Sequence, residues 1–151
     1  MTYFGPQPSV QKLECALFEW TNKPSQTTEQ AFNISLISHN WSPAPSVSSG
    51  DSVVLPAGNY FAQAFCTISR TSESQNIRYK FRLNGVGVGM YGQSDFYSSK
   101  DNDVADAVFE LTTTTTLTLN LIGIEGSLPT VLDNSRIVIW RTQVSSAEGV
   151  L

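Results

Sequence analysis

Apolar and polar residues alternate along most of this chain with a period of two, and no stretch carries the spacing of an amphipathic helix. Eight runs read as strands: Lys12–Trp20, Gln30–Ile37, Asn59–Ile68, Ile77–Leu83, Val86–Tyr91, Val104–Leu111, Thr116–Ile122 and Arg136–Arg141. Turn chemistry separates them. Leu55-Pro56-Ala57-Gly58-Asn59 is a tight turn into the third run. Asn84-Gly85 is the strongest short hairpin dipeptide and joins the fourth run to the fifth. The threonines Thr112–Thr116 form a turn between the sixth and seventh, and Pro43, Pro45, Ser46, Ser48, Ser49 and Gly50 mark a loop. Short antiparallel runs without a helix predict an all-β, two-sheet jelly-roll sandwich of about eight strands. The domain spans residues 12–141, between an N-terminal segment 1–11 and a C-terminal tail 142–151.

The strands differ in how their two faces are dressed. Ile77, Tyr79, Phe81 and Leu83 alternate with Arg78, Lys80 and Arg82. Phe32, Ile34 and Leu36 alternate with Ala31, Asn33 and Ser35, and Leu117, Leu119 and Leu121 with Thr118 and Asn120. Such one-sided strands belong to an outer sheet with one wet face. Three other runs are apolar on both sides. Leu13, Cys15 and Leu17 oppose Ala16, Phe18 and Trp20; Ala62, Ala64, Cys66 and Ile68 oppose Phe61 and Phe65; Ile137 and Ile139 oppose Val138 and Trp140. The sixth run is intermediate, with Val108 and Phe109 on opposite faces. A sheet apolar on both faces leaves one face in water unless something covers it, and exposed patches of that size mark interaction surfaces. The expectation is an oligomer interface; the alternative is a thick loop over that face.

Composition narrows the function. Charged residues are only 15% of the chain, and Ser and Thr number 33, a composition of strands and turns rather than helices. A net charge of −4 and a pI near 4.8 argue against a nucleic-acid partner. No apolar run reaches the ~20 residues of a membrane span. Met1–Val10 has neither a basic region nor an apolar stretch, so it does not read as a secretory signal. With two sparse cysteines, Cys15 and Cys66, the expectation is folding in a reducing cytoplasm.

Catalytic patterns are scarce. His39, the only histidine, lies in Ser38-His39-Asn40-Trp41 and reads as a surface residue. No nucleophile elbow, zinc-binding helix or phosphate loop is present. Gly85, Gly87 and Gly89 alternate with valines and precede no helix, so they indicate close backbone approach or bending in an edge strand. Asp101, Asp103 and Asp106, near Asp95 and Asn102, are the densest carboxylates and the weak candidates for a hard cation. They lack the glycine and closing glutamate of a helix-flanked calcium loop, and a solvated acidic loop is the competing reading. No cofactor is expected. The sequons Asn33-Ile34-Ser35 and Asn40-Trp41-Ser42 are read as coincidental. For binding, the loop from Tyr91 to Asp103 mixes rings with small polar groups, which makes Tyr91, Gln93, Asp95, Phe96 and Tyr97 the receptor-contact candidates.

The order of one-sided and two-sided strands resembles the C1q/TNF-like jelly roll. Labelled A to H, strands A, C, F and H form the inner sheet and B, D, E and G the outer one. The ordered segments Leu55–Tyr60, Arg78–Leu83, Val108–Thr112, Leu117–Leu119 and Ile137–Trp140 also resemble small β-domains of tailed-phage virion proteins, over about residues 50–141. The resemblance implies a homotrimer packed on its inner sheets, with Phe18, Trp20, Phe61, Phe65 and Trp140 in the trimer interface or adjoining core. It implies a non-enzymatic virion protein on a fibre tip, tail or capsid surface. Its partners would be other virion proteins and a host-surface saccharide or protein, without membrane insertion. Residues 1–11 would dock on a neighbouring virion protein, and the polar tail 142–151 would either be disordered or wrap an adjacent subunit. The resemblance further implies that strand H separates A from C, which puts Cys15 and Cys66 too far apart for a disulfide and leaves two buried thiols. Two alternatives stay open: a glycan-active enzyme on the same scaffold, using carboxylates such as Asp103 and Asp106, and a soluble C1q/TNF-like ligand.

Overall fold

The computed structural model describes residues 10–69, 71, 75–94, 104–132 and 134–145. Among these are twelve strands and no helix: β1 (Val10–Thr21), β2 (Asn33–His39), β3 (Ser46–Ser48), β4 (Ser52–Leu55), β5 (Gly58–Phe65), β6 (Ile68–Ser69), β7 (Asn76–Leu83), β8 (Val86–Gln93), β9 (Val104–Leu111), β10 (Thr115–Glu125), β11 (Thr130–Val131) and β12 (Arg136–Ser145). All pairings are antiparallel. The inner sheet runs β2-β1-β12-β5-β9 and the outer sheet β8-β7-β10-β4-β3, so the chain is an all-β jelly-roll sandwich with more than the eight strands expected.

Local chemistry accounts for the turns. Asn84 and Gly85 both hold positive φ, 46° and 84°, as the two-residue hairpin between β7 and β8 requires. Asn84 Oδ1 then accepts from the Thr116 amide at 3.0 Å, tying that hairpin to the start of β10. Leu55 ends β4 and Gly58 opens β5, so the Pro56-Ala57 turn sits where expected. Glycines also close one side of the sandwich. At Gly89 a β-carbon would stand 1.9 Å from the Asp106 carbonyl oxygen, and at Gly92 it would stand 2.4 Å from the Tyr79 ring. Only bare backbone fits there, and it lets β8 leave β7 and bridge to β9 at Met90 and Asp106.

The core lies between the sheets. Trp20, Phe32, Tyr79 and Phe81 are fully buried, and Trp20 packs on Phe32 at 4.6 Å and on Tyr79 at 5.1 Å between ring centroids. The Trp20 indole N–H is shared between the Phe65 and Arg136 carbonyls at 3.0 and 3.2 Å, so the largest buried ring leaves no polar group unpaired.

Several expectations change. The Gln30–Ile37 run is not an outer-sheet strand. The Glu29 and Phe32 amides donate to the Leu121 and Leu119 carbonyls, and the Leu121 amide donates to the Gln30 carbonyl; these bonds hold residues 29–32 against β10, after which Asn33–His39 pairs with β1 in the inner sheet. Its alternation is real, but it belongs to an edge segment crossing from one sheet to the other. The outer strand between β10 and β3 is Ser52–Leu55, and the Pro/Ser loop before it holds β3. At the ends, β1 begins at Val10 and β12 continues to Ser145, so residues on both sides of the expected domain limits pair with each other. The remainder of segments 1–11 and 142–151 lies outside the described residues.

Candidate functional site: the outward face of the inner sheet

The register across β1, β12, β5 and β9 sorts the outward residues into four rows. They are Leu13–Thr142–Asn59–Glu110, Cys15–Trp140–Phe61–Val108, Leu17–Val138–Gln63–Asp106 and Glu19–Arg136–Phe65–Val104. The second row is apolar from end to end. Phe61 and Trp140 stack within it, 5.4 Å between centroids and 24° between planes. Leu13 is 64% exposed, Val108 79% and Phe65 42%. Met90 extends the surface past β9 through its pairing with Asp106. Charge is kept to the rim: Glu110 and Asp106 lie on the last strand, and Glu19 pairs with Arg136 at 3.8 Å in the end row. Leu13, Asn59, Tyr60, Phe61, Val108, Trp140 and Thr142 line a shallow depression of about 440 Å³ in this face. Four strands at ~4.8 Å spacing and four rows ~6.8 Å apart make a face of about 19 by 27 Å, on the order of 500 Å² before side-chain relief is counted.

The expected interface residues therefore divide. Phe61, Phe65 and Trp140 lie on the outward face, whereas Phe18 and Trp20 are 0% exposed in the core and cannot meet another chain. The reason is parity: Phe18 pairs with Ile137 and faces the sandwich interior, one residue out of step with Leu17. Leu13, Cys15, Leu17 and Val108 also belong to the face, and the alternation running through Cys15 was the sequence signal that marked the first three. Neither cysteine is in a disulfide, as the strand order implied, because β12 separates β1 from β5. They are half-buried rather than buried, and the partial desolvation of Cys15 raises its pKa above the usual thiol value.

Beneath one end of this face lies a buried polar cluster. Glu14 is 0% exposed and Arg141 8%. Arg141 Nε donates to Glu14 Oε1 at 2.7 Å, and Glu14 Oε2 accepts from the Ser42 amide at 3.1 Å. The guanidinium sits 4.2 Å over the Trp41 ring, and Tyr60 beside it donates its hydroxyl to the Pro56 carbonyl at 2.7 Å. Burial raises the Tyr60 pKa against the opposing pull of the Arg141 charge. The Glu14–Arg141 pair spends these bonds inside the protein, and Arg141 Nη2 also reaches the Ser42 carbonyl at 3.4 Å, so the cluster is a plug that fastens the 40–43 loop across the sandwich end.

Other candidates are dispersed. Tyr91 and Gln93 lie on β8 in the outer sheet; Asp95, Phe96 and Tyr97, the rest of that receptor-contact group, lie outside the described residues. Asp101 and Asp103 also lie outside, while Asp106 is a β9 residue paired with Gln63. Among the described residues no group of three His, Cys, Asp or Glu side chains comes together to hold a metal. His39 is exposed, with Nδ1 3.1 Å from the Trp41 carbonyl. No helix among the described residues is long and apolar enough to cross a membrane. No protein-family model matches the chain, and no curated protein matches it.

Proposed function

We propose that three copies of this chain close around their apolar faces to form a homotrimeric, non-enzymatic structural protein of a tailed-phage virion. It sits on a fibre tip, tail or capsid surface and attaches the particle to its host or decorates it. The observation that carries the reading is the open row Cys15–Trp140–Phe61–Val108, apolar across four strands with charge only at the rim. Each face of on the order of 500 Å² contributes roughly 12 kcal/mol of gross burial at ~25 cal/mol/Å². Three such faces bring together about 1,500 Å² over the whole trimer, or about 500 Å² for each of its three pairwise contacts before side-chain relief is counted. The order β1-β12-β5-β9 supports the resemblance to the C1q/TNF-like jelly roll, in which this sheet is the one that trimerises. The virion assignment rests on the ordered segments that resemble phage β-domains. Three outward surfaces on one axis raise avidity for a multivalent target by about 10²–10⁴ when all can engage.

Light scattering on purified protein tests the reading. The expected mass is three times the 16.5 kDa chain, about 50 kDa. A 16.5 kDa species at micromolar concentration overturns it.

A further inference from the structure

The opposite face of the molecule carries a different signal. The chain has nine lysines and arginines. Lys23, Arg136 and Arg141 each face a carboxylate, at 2.7, 3.8 and 2.7 Å. Arg78, Lys80 and Arg82 make no ion pair with any described residue, although the protein as a whole is acidic. All three stand on the solvent side of β7, alternating with the buried Ile77, Tyr79 and Phe81. Successive cations are therefore ~6.7 Å apart, and the stripe is ~13 Å long.

The surroundings hold this stripe open. Lys80 and Arg82 pair with Asn120 and Thr118 on β10, while Arg78 pairs with Gln93 and Arg82 with Gly87 on β8. The paired neighbours offer amides, hydroxyls and bare glycine backbone; Glu125 on β10 lies one row beyond Arg78, opposite Asn76, and makes no ion pair with it. Two glycines keep the surface low. A β-carbon at Gly87 would stand 3.2 Å from Lys80 Cε, and one at Gly123 would stand 3.0 Å from Arg78 Nε. The long arms lie down on bare backbone with their charged ends in water, as long cationic side chains do over apolar or flat surfaces.

We infer that the β7 stripe binds an extended anionic polysaccharide, with Arg78, Lys80 and Arg82 meeting successive acidic groups and Gln93 and Thr118 meeting sugar hydroxyls. A single-stranded nucleic acid is the less suited polyanion, because it is held by successive stacking rings and, among the described residues of β8 and β10, Tyr91 is the one ring beside this stripe. The inference deepens the host-attachment part of the proposed function. Trimerisation through the inner sheet leaves three such stripes facing outward, but each is complete within one chain.

Affinity electrophoresis and calorimetry with polygalacturonate test it on the full chain at 20 and 200 mM salt. The expected result is binding at low salt that weakens about tenfold or more at high salt, with no retention by neutral dextran. The R78Q/K80Q/R82Q variant should lose about tenfold or more in affinity while keeping cooperative unfolding and the wild-type mass. A K23Q variant removes a cation elsewhere and should bind as wild type. Lys80→Glu alone, at a solvent-facing position, should show the same loss if the triple variant misfolds. Absence of wild-type binding overturns the inference, as does equal loss in the K23Q variant. Tighter binding of a single-stranded DNA oligomer than of polygalacturonate assigns the stripe to nucleic acid and also overturns it. Because binding is read separately from mass, a monomer that binds sinks the trimer alone, and a trimer that does not bind sinks the stripe alone.

Discussion

Val108→Lys is the sharpest test of the apolar face. Val108 is 79% exposed in the isolated chain and sits at the β9 end of the Cys15–Trp140–Phe61 row. In a lone molecule the lysine would stay in water, and a surface change of that kind costs within about 0.5 kcal/mol. In a trimer it would be drawn out of water against a neighbour's apolar row, with the rim carboxylates Asp106 and Glu110 flanking it on its own strand. Taking about 3 kcal/mol for each charge so withdrawn, the penalty is about 9 kcal/mol per trimer. At 1.4 kcal/mol per tenfold, the constant [M]³/[T] rises by about 10⁶. The concentration of half-dissociation follows its square root and rises by about 10³. Light scattering over a dilution series should therefore show wild type near 50 kDa where V108K has fallen to 16.5 kDa. Val86→Lys is the matched control, since Val86 is 70% exposed on the β7–β8 hairpin and outside the four rows. V108K and wild type with the same mass at every concentration would refute the reasoning, as would V86K dissociating equally.

Arg141→Met removes the cation that faces the fully buried Glu14 carboxylate and should cost about 3–5 kcal/mol in urea unfolding; adding Glu14→Leu should recover most of that loss. Gly89→Ala forces a β-carbon to 1.9 Å from the Asp106 carbonyl at a φ of +73°, so it should cost at least about 3 kcal/mol. Gly85→Ala, where nothing lies within 4 Å, should cost only about 1–2 kcal/mol for its left-handed backbone, as thermal or urea melts will show. For Asp51, burial raises the pKa, but hydrogen bonds from Lys23 and Ser52 and the Lys23 charge outweigh it and hold the carboxyl below its ordinary value. A depressed pKa means the stabilisation is present above the unfolded value near 4 and is lost as pH falls through the folded one. The stability gap between wild type and Asp51→Asn should accordingly be full at pH 6 and close as the pH drops below about 4, in urea melts run at each pH.

Much of the fold could be read from local pattern. The Asn84-Gly85 hairpin, the Pro56-Ala57 turn and the two-sided character of β1, β5 and β12 all follow from residue type and parity. What could not be read depends on neighbours. Ser52–Leu55 is four residues between Asp51 and Pro56, too short to show a period, and it becomes a strand only because Thr115–Leu117 pairs with it. The alternation of Phe32, Ile34 and Leu36 fixes that one face is covered but not by which sheet. A strand apolar on both faces likewise does not disclose which face turns inward. Cross-strand register decides that, and it sends Phe18 and Trp20 to the core while Trp140 and Phe61 go out. The Glu14–Arg141 pair spans 127 positions and has no sequence signature at all. The basic stripe, by contrast, was plain in the alternation of β7, but its lack of counter-charges becomes visible only when its neighbours on β8 and β10 are known.

Both margins of the sandwich are stitched. On one side Met90 joins β8 to β9, and on the other the Ile34 amide reaches the Gly50 carbonyl at 2.7 Å where β2 and β3 approach each other. The strands thus form a nearly continuous ring around the core, with little open ladder for a foreign strand to extend. Growth by edge-to-edge zippering, the usual hazard of a concentrated β-rich protein, finds few free edges among the described strands. The face-to-face contact proposed above is of the closed kind, complete once three subunits have met about one axis.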